Sequence, residues 1–128
     1  MSHDLRDKAF DASTRSHSPY SKAKVGAAIE TTDGHIYQGC NIENASFGGT
    51  VCAERVAIWK AVSEGHKKVK RVYVYTKDGW PPCGMCLQVM TEFADGNLEI
   101  TMGNEAGKET TKKLNELLTC AFSPEHME

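Results

Sequence analysis

The sequence predicts an α/β fold in which helices pack against a mixed β-sheet. Segments with helical periodicity alternate with runs of β-forming residues, which is the pattern of a layered α/β domain. Asp33-Gly34 separates two short strand-like segments and predicts a hairpin turn, so at least one pair of strands should be antiparallel. The chain has 128 residues, a length that predicts a single domain over residues 1–128.

The first half of the chain predicts two helices, one on each side of the hairpin. Its elements, in chain order, are a helix with Leu5, Ala9 and Ala12 on one stripe, a strand over 25–29, a strand over 35–40 and a helix over 52–64. The strand over 25–29 is built mostly from glycine and alanine. Pro19 breaks the chain after the first helix, and Gly65 ends the second.

The second half predicts two strands and two helices. Its elements, in chain order, are a strand over 71–76, a helix over 83–93, a strand over 98–102 and a short helix over 112–118. A loosely packed tail is expected over 123–128. The basic run from Lys67 to Arg71 predicts a solvated loop that leads into the first of these strands.

Composition narrows the class of protein. The formal net charge is −2 and the isoelectric point is about 6.2, which disfavours a nucleic-acid partner. No apolar run approaches the length of a membrane span, so no membrane partner is expected. The five cysteines are an odd number, and the N-terminus lacks a secretory apolar core, so we expect a cytoplasmic protein. Cys40 and Cys120 are expected to be small buried apolar residues.

Two cysteine motifs at predicted helix starts carry the chemistry. Cys52 opens one helix, and Cys83 and Cys86 open the next. Zinc binds thiolates readily, and a helix N-terminus stabilises them through its free N–H groups and dipole. Three protein ligands leave the fourth position of the metal for water, which is the arrangement of a catalytic zinc site.

Glu54 lies two residues after Cys52, in the first turn of the same helix. A carboxylate there can take a proton from metal-activated water and pass it to a leaving group. A lone Cys-x-x-Cys is weak on its own, and Cys40, Cys120 or one of the five histidines would turn the centre into a closed structural site. The combination of Cys-Ala-Glu with Pro-Cys-x-x-Cys matches a zinc deaminase signature and favours the catalytic interpretation.

From Tyr20 to Phe122 the sequence resembles the small, homotetrameric cytidine deaminases. The matching stretches are Tyr20-Ser21, Val25-Gly26-Ala27-Ala28, Gly39-Cys40-Asn41-Ile42-Glu43-Asn44-Ala45-Ser46-Phe47, Val51-Cys52-Ala53-Glu54-Arg55, Pro82-Cys83-Gly84-Met85-Cys86 with Gln88-Val89, and Leu117-Leu118 with Phe122. The resemblance implies a three-layer α/β/α domain with a mixed sheet of about five strands. It also implies one zinc ion per subunit and hydrolytic conversion of cytidine, and of deoxycytidine, to the uracil nucleoside and ammonia in pyrimidine salvage.

The resemblance further implies roles for individual residues. Asn41 and Glu43 would hold the ribose hydroxyls, Glu54 and the backbone of Ala53 would contact the base, and Arg55 would lie near the sulfurs. The residues implied to reach a neighbouring subunit's pocket are Ala45, Phe47 and Phe122, the last by stacking on the base. No organic cofactor is implied.

Two positions depart from the family pattern, so other functions remain open. Ala23 stands where the family usually has a Phe that lines the nucleoside pocket, and Leu87 stands where it usually has an Arg near the sulfurs. These departures allow a deaminase of another amino-pyrimidine nucleoside or of a blasticidin-like compound. A structural-zinc interaction module and a polynucleotide editor are the remaining alternatives, and the acidic balance argues against the editor.

Overall fold

The predicted α/β class is confirmed, and the architecture is a five-stranded mixed sheet covered by helices. The computed structural model describes residues 2–127, with side chains from Asp4 onward. The helices are α1 (Ser2–Ser13), α2 (Ala53–Ser63), α3 (Gly84–Phe93) and α4 (Leu114–Leu117). The strands are β1 (Gly26–Thr31), β2 (Ile36–Cys40), β3 (Val69–Tyr75), β4 (Glu99–Gly103) and β5 (Glu109–Lys113). Short 3₁₀ turns span Phe47–Gly49 and Pro124–Met127.

The sheet has the strand order β2-β1-β3-β4-β5. The pair β3 and β4 is parallel, and every other neighbouring pair is antiparallel. The parallel pair is joined through α3, which forms a βαβ unit. The hairpin predicted at Asp33-Gly34 is present, and Gly34 has the positive φ of 90° that such a turn requires.

Helices cover both faces of the sheet, so the fold has three layers. On one face, Ala28 and Tyr73 pack with α1 residues such as Leu5 and Ala9. On the other face, the alternate strand positions pack against α2, α3 and α4 in the larger core cluster. Successive side chains along a strand point to opposite faces of the sheet, so each face of the sheet carries its own core.

The small residues of β1 and β2 allow the helices to lie very close to the sheet. A Cβ atom on Gly26 would overlap the carbonyl oxygen of Ala9 in α1 and lie 2.7 Å from the backbone nitrogen of Ser13. A Cβ atom on Gly39 would overlap the carbonyl oxygen of Ala53 and lie 2.6 Å from the backbone nitrogen of Ala57 in α2. The second contact fixes the first turns of α2 against the sheet.

One predicted helix is wrong in its extent at the C-terminal end. The helix predicted over 112–118 is shorter, because Lys112 and Lys113 lie in β5, an edge strand that the residue pattern did not reveal. All five β5 residues are exposed, so the strand lacks the apolar alternation that predicts strands. The described part of the tail forms a 3₁₀ turn, and Glu128 lies outside the described residues.

Two further predictions need correction. Cys120 is exposed, and Cys40 is half-buried with its thiol 3.5 Å from the carbonyl oxygen of Arg15, so neither is a fully buried core residue. The basic run is a solvated loop only at its start, because its last two basic residues, Lys70 and Arg71, already lie in β3. Arg71 there pairs with Glu30 on the neighbouring strand. In the part of the chain that the structure describes, no helix combines the length and apolar character needed to span a membrane.

The close packing of α2 on Gly39 predicts a strong effect of adding a single methyl group. Gly39→Ala should lower the free energy of unfolding by about 1–3 kcal/mol, because backbone atoms of α2 must move to make room. Urea unfolding followed by circular dichroism measures this. Gly48→Ala is the control, since no described atom lies within 4 Å of its added Cβ. Equal unfolding midpoints for the two variants would contradict the prediction.

Candidate metal centre and substrate-facing groups

Sheet topology brings the starts of α2 and α3 to the same place. Gly26 of β1 pairs with Cys40 at the end of β2 on one side and with Tyr75 at the end of β3 on the other. The strands β2 and β3 therefore end at one edge of the sheet, and the helices that follow them begin there. Cys52 is the N-cap residue of α2, and Cys83 is the N-cap residue of α3.

Three cysteine sulfurs meet at this edge. The Sγ atoms of Cys52 and Cys83 are 3.6 Å apart, and those of Cys83 and Cys86 are 3.5 Å apart. All three lie within 4.8 Å of one another. Cys86 is fully buried, Cys52 is half-buried and Cys83 is exposed, so one side of the cluster is accessible to solvent.

This donor set fits zinc. Three thiolates around one point are a common zinc ligand set, and an open side leaves room for a water or substrate ligand. Among the described side chains, no fourth Cys, His, Asp or Glu joins the cluster, so Cys40, Cys120 and the histidines from His17 onward do not close it. Among the described residues, the cluster thus offers three ligand atoms to a metal ion.

Arg55 lies against the cluster from α2. Its Nη2 atom donates to the Cys52 sulfur at 3.4 Å, and its Nη1 atom donates to the Met85 sulfur at 3.0 Å. Contact with the Cys86 thiol and with the Arg55 guanidinium lowers the pKa of Cys52, against the opposing effect of burial. The sequence placed Arg55 near the sulfurs, and the structure shows that contact.

Glu54 lies beside the sulfurs without joining their cluster. Its side chain is 3% exposed, and burial raises its pKa to about 7, with a further contribution from the negative charge of Cys52. Its carboxyl group accepts a hydrogen bond from its own backbone N–H, which partly opposes this rise. A buried carboxyl group with a pKa near neutrality is suited to holding and releasing a proton.

Asn41 holds the loop that precedes β1. Its Nδ2 atom donates to the Ala23 carbonyl oxygen at 2.8 Å, and its Oδ1 atom accepts from the Val25 backbone nitrogen at 3.0 Å and from the Ser16 hydroxyl. The amide oxygen thus uses both lone pairs within the chain. One N–H of the Asn41 amide is left for another partner.

Glu43 holds an earlier part of the same loop, at Tyr20 and Ser21. Its Oε1 atom accepts from the backbone nitrogens of Tyr20 and Ser21, at 3.0 and 3.1 Å, and its Oε2 atom accepts from the Ser21 hydroxyl. These hydrogen bonds, first that of the Ser21 hydroxyl, lower the pKa of Glu43, so its carboxylate is charged at neutral pH. A groove of about 250 Å³ lies beside it, lined by Tyr20, Ser21, Phe47 and Thr50.

The residues expected to face a neighbouring subunit lie at the surface. Phe47 is 74% exposed and packs edge-on against Tyr20, with 5.8 Å between ring centroids. Phe122 is 56% exposed, and its carbonyl oxygen accepts from Gln88 of α3 at 2.8 Å. Ala45 is exposed, whereas Ala53 is fully buried in the first turn of α2.

Comparison with known proteins places this fold and its cysteine motifs in one family. Residues 2–102 match the family model described as the cytidine and deoxycytidylate deaminase zinc-binding region. The chain belongs to this family. The zinc dependence and the family resemblance that the sequence predicts are therefore confirmed.

Individual relatives cover nearly the whole chain. A cytidine deaminase of Halalkalibacterium halodurans is 43% identical over 125 residues, which is 96% of this chain and 95% of the relative. A cytidine deaminase of Sporosarcina psychrophila is 42% identical over 91% of this chain and 87% of its own. The crystal structure of a cytidine deaminase from Burkholderia pseudomallei superposes with a TM-score of 0.91 at 37% identity, covering 95% of this chain and 99% of that one. The three-layer fold implied by the resemblance is thereby confirmed.

The two departures from the family pattern have clear structural settings. Leu87 is 7% exposed and packs in the large core cluster, so it presents an apolar side chain next to Cys86. Ala23 is half-buried, and its backbone is held at both ends, because its nitrogen donates to the Ser21 hydroxyl at 3.0 Å and its carbonyl accepts from Asn41. The path of the backbone at residue 23 is thus fixed by hydrogen bonds rather than by its small side chain.

Sequence reasoning missed two contributors to this region. Ser21 lies in a stretch that matches the family, yet its hydroxyl was given no role, and Met85 was treated only as a spacer between cysteines. The structure places the Ser21 hydroxyl on Glu43 and the Met85 sulfur on Arg55. A cavity of about 690 Å³ borders Val69, Phe93 and Leu98 at the other end of β3, and none of the predicted site residues lines it.

The cysteine cluster predicts that zinc content depends on an exposed thiol. Cys83→Ser should reduce the zinc bound per purified chain well below the level of the unchanged protein, because serine is a poor zinc ligand in this set. Metal analysis of dialysed protein measures this. Cys120→Ser is the matched control, since Cys120 is also exposed and lies outside the cluster. Retention of full zinc content by Cys83→Ser would contradict the assignment of Cys83.

Proposed function

We propose that this protein catalyses the zinc-dependent hydrolytic deamination of cytidine, and of deoxycytidine, to the uracil nucleoside and ammonia. The observation that carries the proposal is the buried Glu54 carboxyl group beside three converging cysteine sulfurs that leave one side open. Relatives named cytidine deaminase that match over nearly the whole chain support it. The whole chain, residues 1–128, acts as one deaminase domain in this proposal.

Cys52, Cys83 and Cys86 would hold the metal. Zinc bound there would supply a Lewis acid that activates water for attack on the ring carbon bearing the amino group. The chain compensates the negative charge of the sulfurs with Arg55 and with the N-terminal ends of α2 and α3.

Glu54 moves the protons of the reaction. Its pKa of about 7 means that the protonated and charged forms are both populated near neutral pH. The carboxylate would take a proton from the attacking water and donate it to the ring nitrogen next to the reacting carbon. It would then take the proton of the new hydroxyl group and pass it to the departing amino group, which leaves as ammonia. Because the group is buried, bulk water has little access to its proton.

Asn41 and Glu43 would hold the ribose. The free N–H of the Asn41 amide can donate to a sugar hydroxyl, and the charged Glu43 carboxylate can accept from one. The backbone of Ala53, in the first turn of α2, would contact the base. Since both polar side chains are already fixed by the loop before β1, they are positioned before a substrate arrives.

The exposed aromatic residues support an assembly of several chains. Phe47 and Phe122 present large apolar side chains to solvent, and a neighbouring chain that covered them would remove this apolar surface from water. We propose a homotetramer in which Ala45, Phe47 and Phe122 reach the pocket of a neighbouring subunit, with Phe122 stacking on the base. The enzyme would work in pyrimidine salvage in the cytoplasm, where its five free thiols would stay reduced.

The nearest alternative is deamination of another amino-pyrimidine nucleoside or of a blasticidin-like compound, which Ala23 and Leu87 allow. Asn41 and Glu43 favour a substrate that carries a ribose. A structural-zinc module would need a closed centre, and the cluster of described residues has three members. Turnover of cytidine, deoxycytidine and free cytosine, measured side by side, distinguishes the enzyme substrates.

Removing the charge of Glu54 should stop turnover while leaving the metal in place. Glu54→Gln is expected to lower kcat for cytidine by about 10²–10⁴-fold, because the amide cannot carry the proton. Loss of ultraviolet absorbance and release of ammonia measure the rate, and metal analysis of the same sample measures zinc. Glu105→Gln, a change at an exposed turn, is the control. Turnover close to that of the control would contradict the role of Glu54.

The proposed ribose contact predicts a change in substrate preference. Glu43→Gln should lower kcat/KM for cytidine by about 10–10²-fold, the effect of losing a hydrogen bond to a charged group. Its effect on free cytosine, which has no ribose, should be much smaller. Steady-state kinetics on both compounds tests this, again with Glu105→Gln as the control. Equal losses on cytidine and cytosine would argue that Glu43 acts only by holding the loop.

A further inference from the structure

A second cluster of metal-ligand side chains lies at the other end of α2 from the cysteines. Asp33, His35 and His66 each offer one ligand atom, and these atoms lie within 4.8 Å of one another. Asp33 and His35 belong to the turn between β1 and β2, and His66 follows the end of α2. A helix of 11 residues spans about 16 Å, so this cluster is distinct from the cysteine centre.

The turn holds the first two groups in place through Thr31, which is fully buried. The Thr31 hydroxyl donates to Oδ1 of Asp33, and the backbone nitrogen of His35 donates to the Thr31 hydroxyl oxygen at 3.0 Å. A backbone hydrogen bond of 2.8 Å from Thr31 to the His35 carbonyl closes the turn. The carboxylate and the imidazole therefore extend from a rigid base.

The end of α2 holds the third group. Gly65 has a φ of 94°, and the His66 nitrogen donates to the Ala61 carbonyl oxygen at 2.9 Å, so the chain reverses at His66. The His66 ring stacks on the His35 ring, with 3.9 Å between centroids and 27° between planes. Two segments far apart in sequence thus place their imidazoles side by side.

Both imidazoles direct the same ring nitrogen toward one carboxylate. Nδ1 of His66 lies 2.7 Å from Oδ2 of Asp33, and Nδ1 of His35 lies 3.4 Å from Oδ1. Hydrogen bonds from Thr31 and then from His66 lower the pKa of Asp33, so its carboxylate is charged at neutral pH. Two imidazole nitrogens and one carboxylate are a donor set that zinc, nickel and copper ions prefer.

We propose that Asp33, His35 and His66 form a second site for a divalent transition-metal ion, separate from the cysteine centre. The partial exposure of the three side chains gives the ion access from solvent and leaves positions for water ligands. An ion bound there ties the β1–β2 turn to the C-terminal end of α2. This site does not rest on the proposed deaminase function.

Zinc titration of the 128-residue protein, already loaded with one zinc ion per chain, tests the site. Calorimetry should detect a further equivalent of bound zinc. His35→Ala, His66→Ala and Asp33→Asn should each weaken this second binding at least about tenfold, since even groups behind the ligands change metal affinity by 10–100-fold. Asp33→Asn keeps the size of the side chain and an acceptor for the Thr31 hydroxyl, so it protects the test against misfolding. His126→Ala, at an exposed histidine outside the cluster, is the control and should bind as the unchanged protein does.

Two additional readouts locate the ion. In proton NMR spectra, the ring C–H resonances of His35 and His66 should shift together as the second equivalent of zinc is added, while those of His126 stay in place. The same zinc addition should raise the melting temperature of the unchanged protein but not that of His66→Ala. The proposal is overturned if no second equivalent of zinc binds. It is also overturned if the three variants leave the second binding unchanged, as they would if the ion were bound at the exposed Cys120 and removed by Cys120→Ser.

Discussion

The proposed chemistry of this protein depends on the pairing of β1 with both β2 and β3. Because Gly26 pairs with the last residues of both neighbours, the helices that follow those strands begin side by side. The absence of a side chain at Gly39 lets α2 lie directly on the sheet, and this determines how close Cys52 lies to the sheet. A bulkier strand would move one helix start away from the other, and the three sulfurs could no longer share one ion.

Much of this arrangement can be predicted from sequence because its signals are local. Helix periodicity, the Asp33-Gly34 turn and the two cysteine motifs each lie within a few residues, and the structure contains the elements they predict. The edge strand β5 could not be predicted, because its exposed Glu-Thr-Thr-Lys-Lys segment has no apolar face and depends on pairing with β4. Cys120 was misjudged for a related reason, since residue type alone does not reveal how much of a loop packs against the core.

Contacts between distant segments account for what the site predictions missed. Asn41 and Glu43 stand out in sequence as polar residues after a strand, but their partners lie about twenty residues earlier, in the loop before β1. The cluster of Asp33 with His35 and His66 has the same origin, because its members meet only when α2 returns to the hairpin. The spacing of residues along the chain does not predict such long-range contacts, because they are determined by the order of the strands and the length of the helix.

Charge balance explains why Arg55 has so constrained a position. Three thiolates and one divalent ion leave a formal charge of about −1, and each helix N-terminus offsets roughly half a unit. With the apolar Leu87 in the core beside Cys86, the guanidinium of Arg55 supplies the compensating contact with a sulfur. Its Nε atom is buried and has no hydrogen-bond partner among the described residues, a cost that the contacts with Cys52 and Met85 must offset. Arg55 therefore stabilises the negative charge of the sulfurs at the expense of one of its own hydrogen bonds.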